Sequence, residues 1–149
     1  MGKPEHPSGQ AGAEPRVRVE QTGCAGSDGG WRIAWRITNL TPSELRLLDA
    51  RFPHGQFRSG LMELRDLTIA PRSSIRLEAL VACQGGAGDV VENAFLITTA
   101  EWREVRWRIL ARMTVRFTAD RAPAAATELV TVQRVGFSRP ERQVPVSKI

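Results

Sequence analysis

Two cysteines and two histidines are the chain's whole supply of thiol and imidazole chemistry. Histidine is the usual proton shuttle near neutral pH. His6, however, sits in a stretch of Gly, Pro, Ser and Gln, and His54 falls in the turn Phe52-Pro-His-Gly55. No Gly-x-Ser-x-Gly elbow occurs, and no Ser, His, Asp set stands out. Gln84-Gly-Gly-Ala-Gly-Asp89 is glycine-rich, but it joins two extended runs and lacks the helix N-terminus that would cradle a phosphate. If alternate loops collect at one end of a two-sheet domain, Cys24, His54, Cys83 and Asp89 come together. Two thiolates, an imidazole and a carboxylate would suit tetrahedral zinc. Against that, Cys83 continues an apolar row and reads as a small buried hydrophobe, while Cys24 reads as a loop thiol. A Cys24–Cys83 disulfide is a third state, one that a reducing compartment disfavours. The residues call for no cofactor, and a small metal-dependent enzyme at the Cys24/His54/Cys83 end is the last of three functional readings.

The arginines carry the other chemistry. The chain has 19 of them and two lysines against 16 acidic residues, a net charge of +5. Guanidinium grips carboxylate or phosphate in a bidentate way that ammonium cannot, although a GC-rich genome also enriches arginine. Arg106, Arg108, Arg112 and Arg116 recur at even positions, so on an extended chain they share one face. Trp102 and Arg103 precede them in the turn Thr98-Thr-Ala-Glu-Trp-Arg103. Two placements fit Trp102: exposed beside arginine as an interaction hot spot, or folded back to cap the open end of the domain. The stripe could meet an acidic protein patch or follow a nucleic-acid backbone. Glu101 and Glu104 dilute it, and outward charges on a strand also serve solubility and edge protection.

These side chains must be positioned by strands. In Trp31–Thr38, Trp31, Ile33, Trp35 and Ile37 fall on one face and Arg32, Ala34, Arg36 and Thr38 on the other. On a helix the four large side chains would scatter; on a strand they form one buried row. From Glu104 to Phe117 the alternation continues through Val105, Trp107, Ile109, Ala111, Met113, Val115 and Phe117. At ~3.3 Å per residue this run is far longer than an ordinary strand. A bend, a bulge or a crossing between sheets is therefore expected, with Leu110 as the break point. Further strands are expected over Arg16–Gln21, Glu44–Phe52, Ser74–Cys83, Val90–Thr99 and Glu128–Phe137. Val90–Thr99 is apolar on both phases from Ala94 to Ile97, which suits a central strand. Phe57–Ile69 is weaker and admits a helical turn at Leu61–Leu64. Turn-rich stretches at Thr22–Gly30, Asn39–Ser43, Pro53–Gly55, Ala70–Ser73, Gln84–Asp89 and Ala119–Thr127 separate these runs.

Seven or eight strands at about ten-residue spacing imply an antiparallel β-sandwich. Trp31–Leu40 (WRIAWRITNL), a strand running into an Asn-containing turn, and Leu67–Leu77, a proline turn leading into a strand, resemble bacterial immunoglobulin-like or fibronectin-III-like accessory domains. The resemblance spans residues 16–137 and implies an all-β immunoglobulin-like sandwich. The chain has no tyrosine, so that fold's tyrosine corner is missing. The expected organisation is a flexible tail at 1–15, the sandwich at 16–138 and a C-terminal tail at 139–149. No apolar run approaches the ~18 residues of a membrane span and the start lacks a signal-peptide core, so a cytoplasmic chain without a membrane partner is expected. The leading functional expectation is a non-catalytic module that binds another protein, or a second copy of itself, through Trp102, Arg103, Arg106, Arg108, Arg112 and Arg116. Binding of nucleic acid or another polyanion through the same arginines is the alternative.

Overall fold

The computed structural model describes residues 13–27 and 29–136, and the expected tails lie outside that range apart from 13–15, as does Phe137 at the end of the last expected strand. Eight strands are present among the described residues: β1 (Val17–Ser27), β2 (Gly30–Asn39), β3 (Leu45–His54), β4 (Phe57–Ile69), β5 (Ser74–Val81), β6 (Val90–Trp102), β7 (Val105–Phe117) and β8 (Pro123–Arg134). They form two antiparallel sheets, one ordered β1-β2-β5 and the other β4-β3-β6-β7-β8. The protein is an all-β sandwich, and its strand order is compatible with an immunoglobulin-like architecture. Among the described residues no helix is long and apolar enough to cross a membrane.

The period-two rows decide which side of each sheet is inside. Trp31, Ile33, Trp35 and Ile37 of β2 are buried and Arg32 and Arg36 are exposed. Trp107, Ile109, Ala111, Met113, Val115 and Phe117 of β7 form the facing row. Trp35, Phe52 and Phe57 meet at the centre with ring centroids 5.4 to 6.4 Å apart in tilted and edge-on contacts, the geometry that aromatic quadrupoles favour.

β7 does not cross between sheets. It runs its whole length beside β6, and the irregularities fall on its neighbours: one extra residue of β6 between Val91 and Ala94 and one of β8, Glu128, opposite Arg112 and Met113. Leu110 is not the break: it pairs with Ile97 on one side and Thr131 on the other. The helical turn expected at Leu61–Leu64 is also absent, and β4 stays extended through it. It has two irregularities: one extra residue at 60–61, where Ala50 pairs Met62 but Phe52 pairs Ser59, and a larger one where Leu47 pairs Leu67 but Asp49 pairs Glu63, so 64–66 loop out. Arg65 and Asp66 there take positive φ values of 53° and 60°. Leucines three apart imitate a helical face, but Met62 and Leu64 alternate with exposed Leu61 and Glu63, and pairing with β3 wins.

A buried amide fastens one end of the sandwich. Asn39 is fully buried. Its Nδ2 donates to the Ser43 and Ile69 carbonyls at 2.8 and 3.1 Å, and its Oδ1 accepts from the Thr41 backbone and hydroxyl at 3.0 and 2.7 Å. Thr41 Oγ1 in turn accepts the indole N–H of Trp102 at 3.2 Å. The network ties the β2–β3, β4–β5 and β6–β7 connections together in a chain without tyrosine.

Candidate functional site

Outward positions on the five-stranded sheet follow from the inward rows. On β7 they are Arg106, Arg108, Leu110, Arg112, Thr114 and Arg116. The ladders place Phe95 and Leu129 beside Arg112, Ile97 and Thr131 beside Leu110, and Thr99 and Gln133 beside Arg108. Val90 lies beside Arg116, and Arg51 of β3 lies beside Ile97. The face is thus an apolar centre of Phe95, Ile97, Leu110 and Leu129 with guanidinium groups around it. Between Arg112 and Arg116, the Glu128 carboxylate accepts from the outward Thr114 hydroxyl at 2.7 Å. Leu129 is 48% exposed, while Phe95, Ile97 and Leu110 are half-buried, so none of the described residues forms a second layer over them. Among the described residues, Arg51, Arg108, Arg112 and Arg116 take part in no ion pair. The carboxylates of Asp49 and Glu63 sit at the β3–β4 margin of the face.

The structure brings Arg106, Arg108, Arg112 and Arg116 onto one face and takes Trp102 away from it. Trp102 is 3% exposed, packs edge-on against Trp107 with centroids 6.4 Å apart, and has its N–H satisfied by Thr41. It folds back to cap the core and does not protrude as a binding hot spot. Its burial follows from β6 running on to Trp102 and pairing it with Leu45 and Val105, which turns the indole inward. Arg103 lies over that indole at 4.4 Å and donates to Ser43 Oγ at 3.0 Å, so it is part of the cap. Arg106 is drawn to Glu101 at 3.5 Å. Glu101 also accepts from Arg46, and that hydrogen bond is the main reason its carboxyl lies below the usual carboxylate range. The cationic surface therefore consists chiefly of Arg108, Arg112 and Arg116, joined by Arg51.

Arg51, Phe95, Ile97 and Leu129 were not among the sequence candidates. The signal for Phe95 and Ile97 lay in the two-phase apolar run Ala94–Ile97. β6 is indeed central, between β3 and β7. The structure covers one of its faces and leaves the other half open.

At the opposite end the loops do converge, but the metal ligands do not. Gly55, Gln56, Cys83 and Gln84 line one shallow depression. Among the described residues, no three His, Cys, Asp or Glu side chains are close enough to share an ion. His54 Nδ1 accepts the Gln56 N–H at 3.0 Å, and Asp89 Oδ2 accepts the Gly86 N–H at 2.8 Å, each closing its own turn. Cys24 and Cys83 are both free thiols, the first exposed and the second buried. Burial pushes the Cys83 thiol up to about 11, with a smaller push from Cys24. Cys83 is thus the buried hydrophobe that its row implies, and the Cys24/His54/Cys83/Asp89 zinc site is not assembled.

No protein-family model matches the chain, and comparison with curated proteins and with solved structures also returns no match.

Proposed function

We propose that the chain is a non-catalytic binding module, of immunoglobulin-like or fibronectin-III-like build, whose five-stranded sheet docks a protein partner. The partner's chemistry is the complement of the face: an apolar knob for the Phe95, Ile97, Leu110, Leu129 centre, ringed by carboxylates for the arginines. The observation that carries the reading is the set of four arginines that have no ion-pair partner among the described residues, around a half-buried apolar strip. The apolar strip distinguishes this face from the outer side of β2, where Arg32 and Arg36 flank the small Ala34. Arginine beside apolar surface is also the composition that interface centres favour.

Binding of nucleic acid or another polyanion is the second reading, because alternate arginines on β7 can meet successive phosphates. It is the weaker one. Single-strand binders stack successive bases on several exposed aromatics, whereas Trp31, Trp35, Trp102 and Trp107 are all buried and this face offers the half-buried Phe95 alone among the described residues.

One experiment separates the two. The full chain and its Arg108→Glu/Arg112→Glu variant are used to recover partners from nuclease-treated lysate of the source cell, with Arg32→Glu/Arg36→Glu on the other sheet as control. A protein held by the wild type and the control but lost by at least tenfold from the first variant supports the proposal. The same recovery from all three overturns it. Tight binding of the wild type to a random single-stranded oligonucleotide, falling steeply with salt, would favour the polyanion reading instead.

A further inference from the structure

Four strands have an edge: β1 and β5 in one sheet, β4 and β8 in the other. Three of them are closed by devices that native sheets use against edge pairing. β1 and β8 shield each other, because the Gln21 amide bonds the Pro123 carbonyl and the Ala125 N–H at 3.0 and 2.6 Å, and Thr127 Oγ1 bonds the Val19 carbonyl at 2.7 Å. β4 is interrupted by the looped residues at 64–66. Among the described residues β5 shows neither of these devices. It holds neither Pro nor Gly, pairs with β2 without a register shift, and meets the start of β4 at its C-terminal end, where the Arg58–Ala82 bridge lies.

We propose that β5 is a self-association edge, at which two copies of this chain pair antiparallel about a two-fold axis through Leu77. Such an axis stands perpendicular to the sheet, so a residue must lie on it, and the side-chain pattern selects which one. Centring on Leu77 places Arg76 opposite Glu78 of the second copy, twice by symmetry, and Ser74 opposite Leu80. Centring on Arg76 or on Glu78 places like charges face to face, which is destabilising. Centring on Ala79 or Leu80 requires the backbone at Ala82, which Arg58 already holds. The Leu77 register also improves the existing ladder. Arg76 now faces Arg36 across β2, while Glu20 compensates only Arg36. In the pair, Glu78 of the second copy gives Arg76 a second carboxylate beside the one it already meets on its own strand at 2.6 Å. The paired sheet continues as β1-β2-β5 of one copy and β5-β2-β1 of the other, and Leu80, 64% exposed in the single chain, comes to lie at the seam.

This edge is distinct from the arginine face of the other sheet, and it stands or falls separately. The test is the oligomeric state of the full chain, measured by sedimentation across a concentration series. The wild type is expected to dimerise. R76E makes both charged positions of the edge acidic and E78R makes both basic, so each variant alone is expected to be monomeric. Mixed in equal amounts, the two are expected to form a one-to-one dimer, and the R76E/E78R double variant is expected to dimerise with itself. Both side chains are exposed, and R76E removes a like-charge neighbour of Arg36, so unchanged thermal melting of the single variants is the folding control. A wild type monomeric at every concentration overturns the proposal. So do single variants that remain dimeric, or a mixture that forms no heterodimer.

Discussion

Asn39 and Trp102 show how single polar atoms set the geometry of this sandwich. Asn39→Ala removes donors to two buried carbonyls and the acceptor for Thr41, and is expected to cost about 3 kcal/mol in a urea titration. Asn39→Asp should cost at least as much at neutral pH, because a carboxylate would then face the Ser43 and Ile69 carbonyl oxygens. Trp102→Phe keeps the contact with Trp107 but loses the hydrogen bond to Thr41, and should cost about 1 kcal/mol. Trp102→Ala should cost about 3–5 kcal/mol, so any loss of binding in that variant reports unfolding. Cys83 supplies a pH prediction. Its folded-state value of about 11 lies above that of an unfolded thiol, so the unfolded chain releases the proton first. The associated stability is intact below pH ~9 and is lost as pH rises through about 11. Urea midpoints should fall across that window, less so in Cys83→Ala. Below it, a thiol reagent should label Cys24 at once and Cys83 only on unfolding.

At the scale of elements, the inward rows of β2 and β7 were legible residue by residue, because period two leaves large apolar side chains only one common face. The strand over 74–83 was legible for the same reason, that over 44–52 from its leucines, and that over 90–99 from an apolar run on both phases. What escaped depends on pairing with distant chain. Bulges at 64–66 and at Arg112/Met113 are fixed by the neighbouring ladder and leave no local mark. Trp102 stood in a turn by sequence, yet the β6–β7 hairpin is tight enough to carry it into the core. Of the candidate site, Arg108, Arg112 and Arg116 were readable from β7 alone. Arg51, Phe95 and Leu129 were not, since they reach the face from three other strands. Gly85 gives an element-level check on the loop before β6. A Cβ there would sit 2.6 Å from the Phe117 ring, so Gly85→Ala should lower the melting temperature by several degrees, whereas Gly55→Ala, whose Cβ meets nothing, should not.

In the whole molecule, the two sheets have different tasks. The three-stranded sheet keeps one regular edge, whereas the five-stranded sheet gathers Arg51, Arg108, Arg112 and Arg116, which have no ion-pair partner among the described residues, around a half-buried apolar strip. Charge reversal on either sheet should therefore leave the other function intact: R108E/R112E should still dimerise, and R76E should still bind the partner. The central claim is that the outer face of the five-stranded sheet is where the partner sits. It is tested most directly by placing a photoreactive benzoylphenylalanine at Leu110, the middle of that face, or at Arg18 on the outside of β1, and irradiating the source cells. The account predicts one discrete adduct, with a partner protein, from position 110 and none from position 18. Adducts of equal yield from both positions, or from position 18 alone, would contradict it.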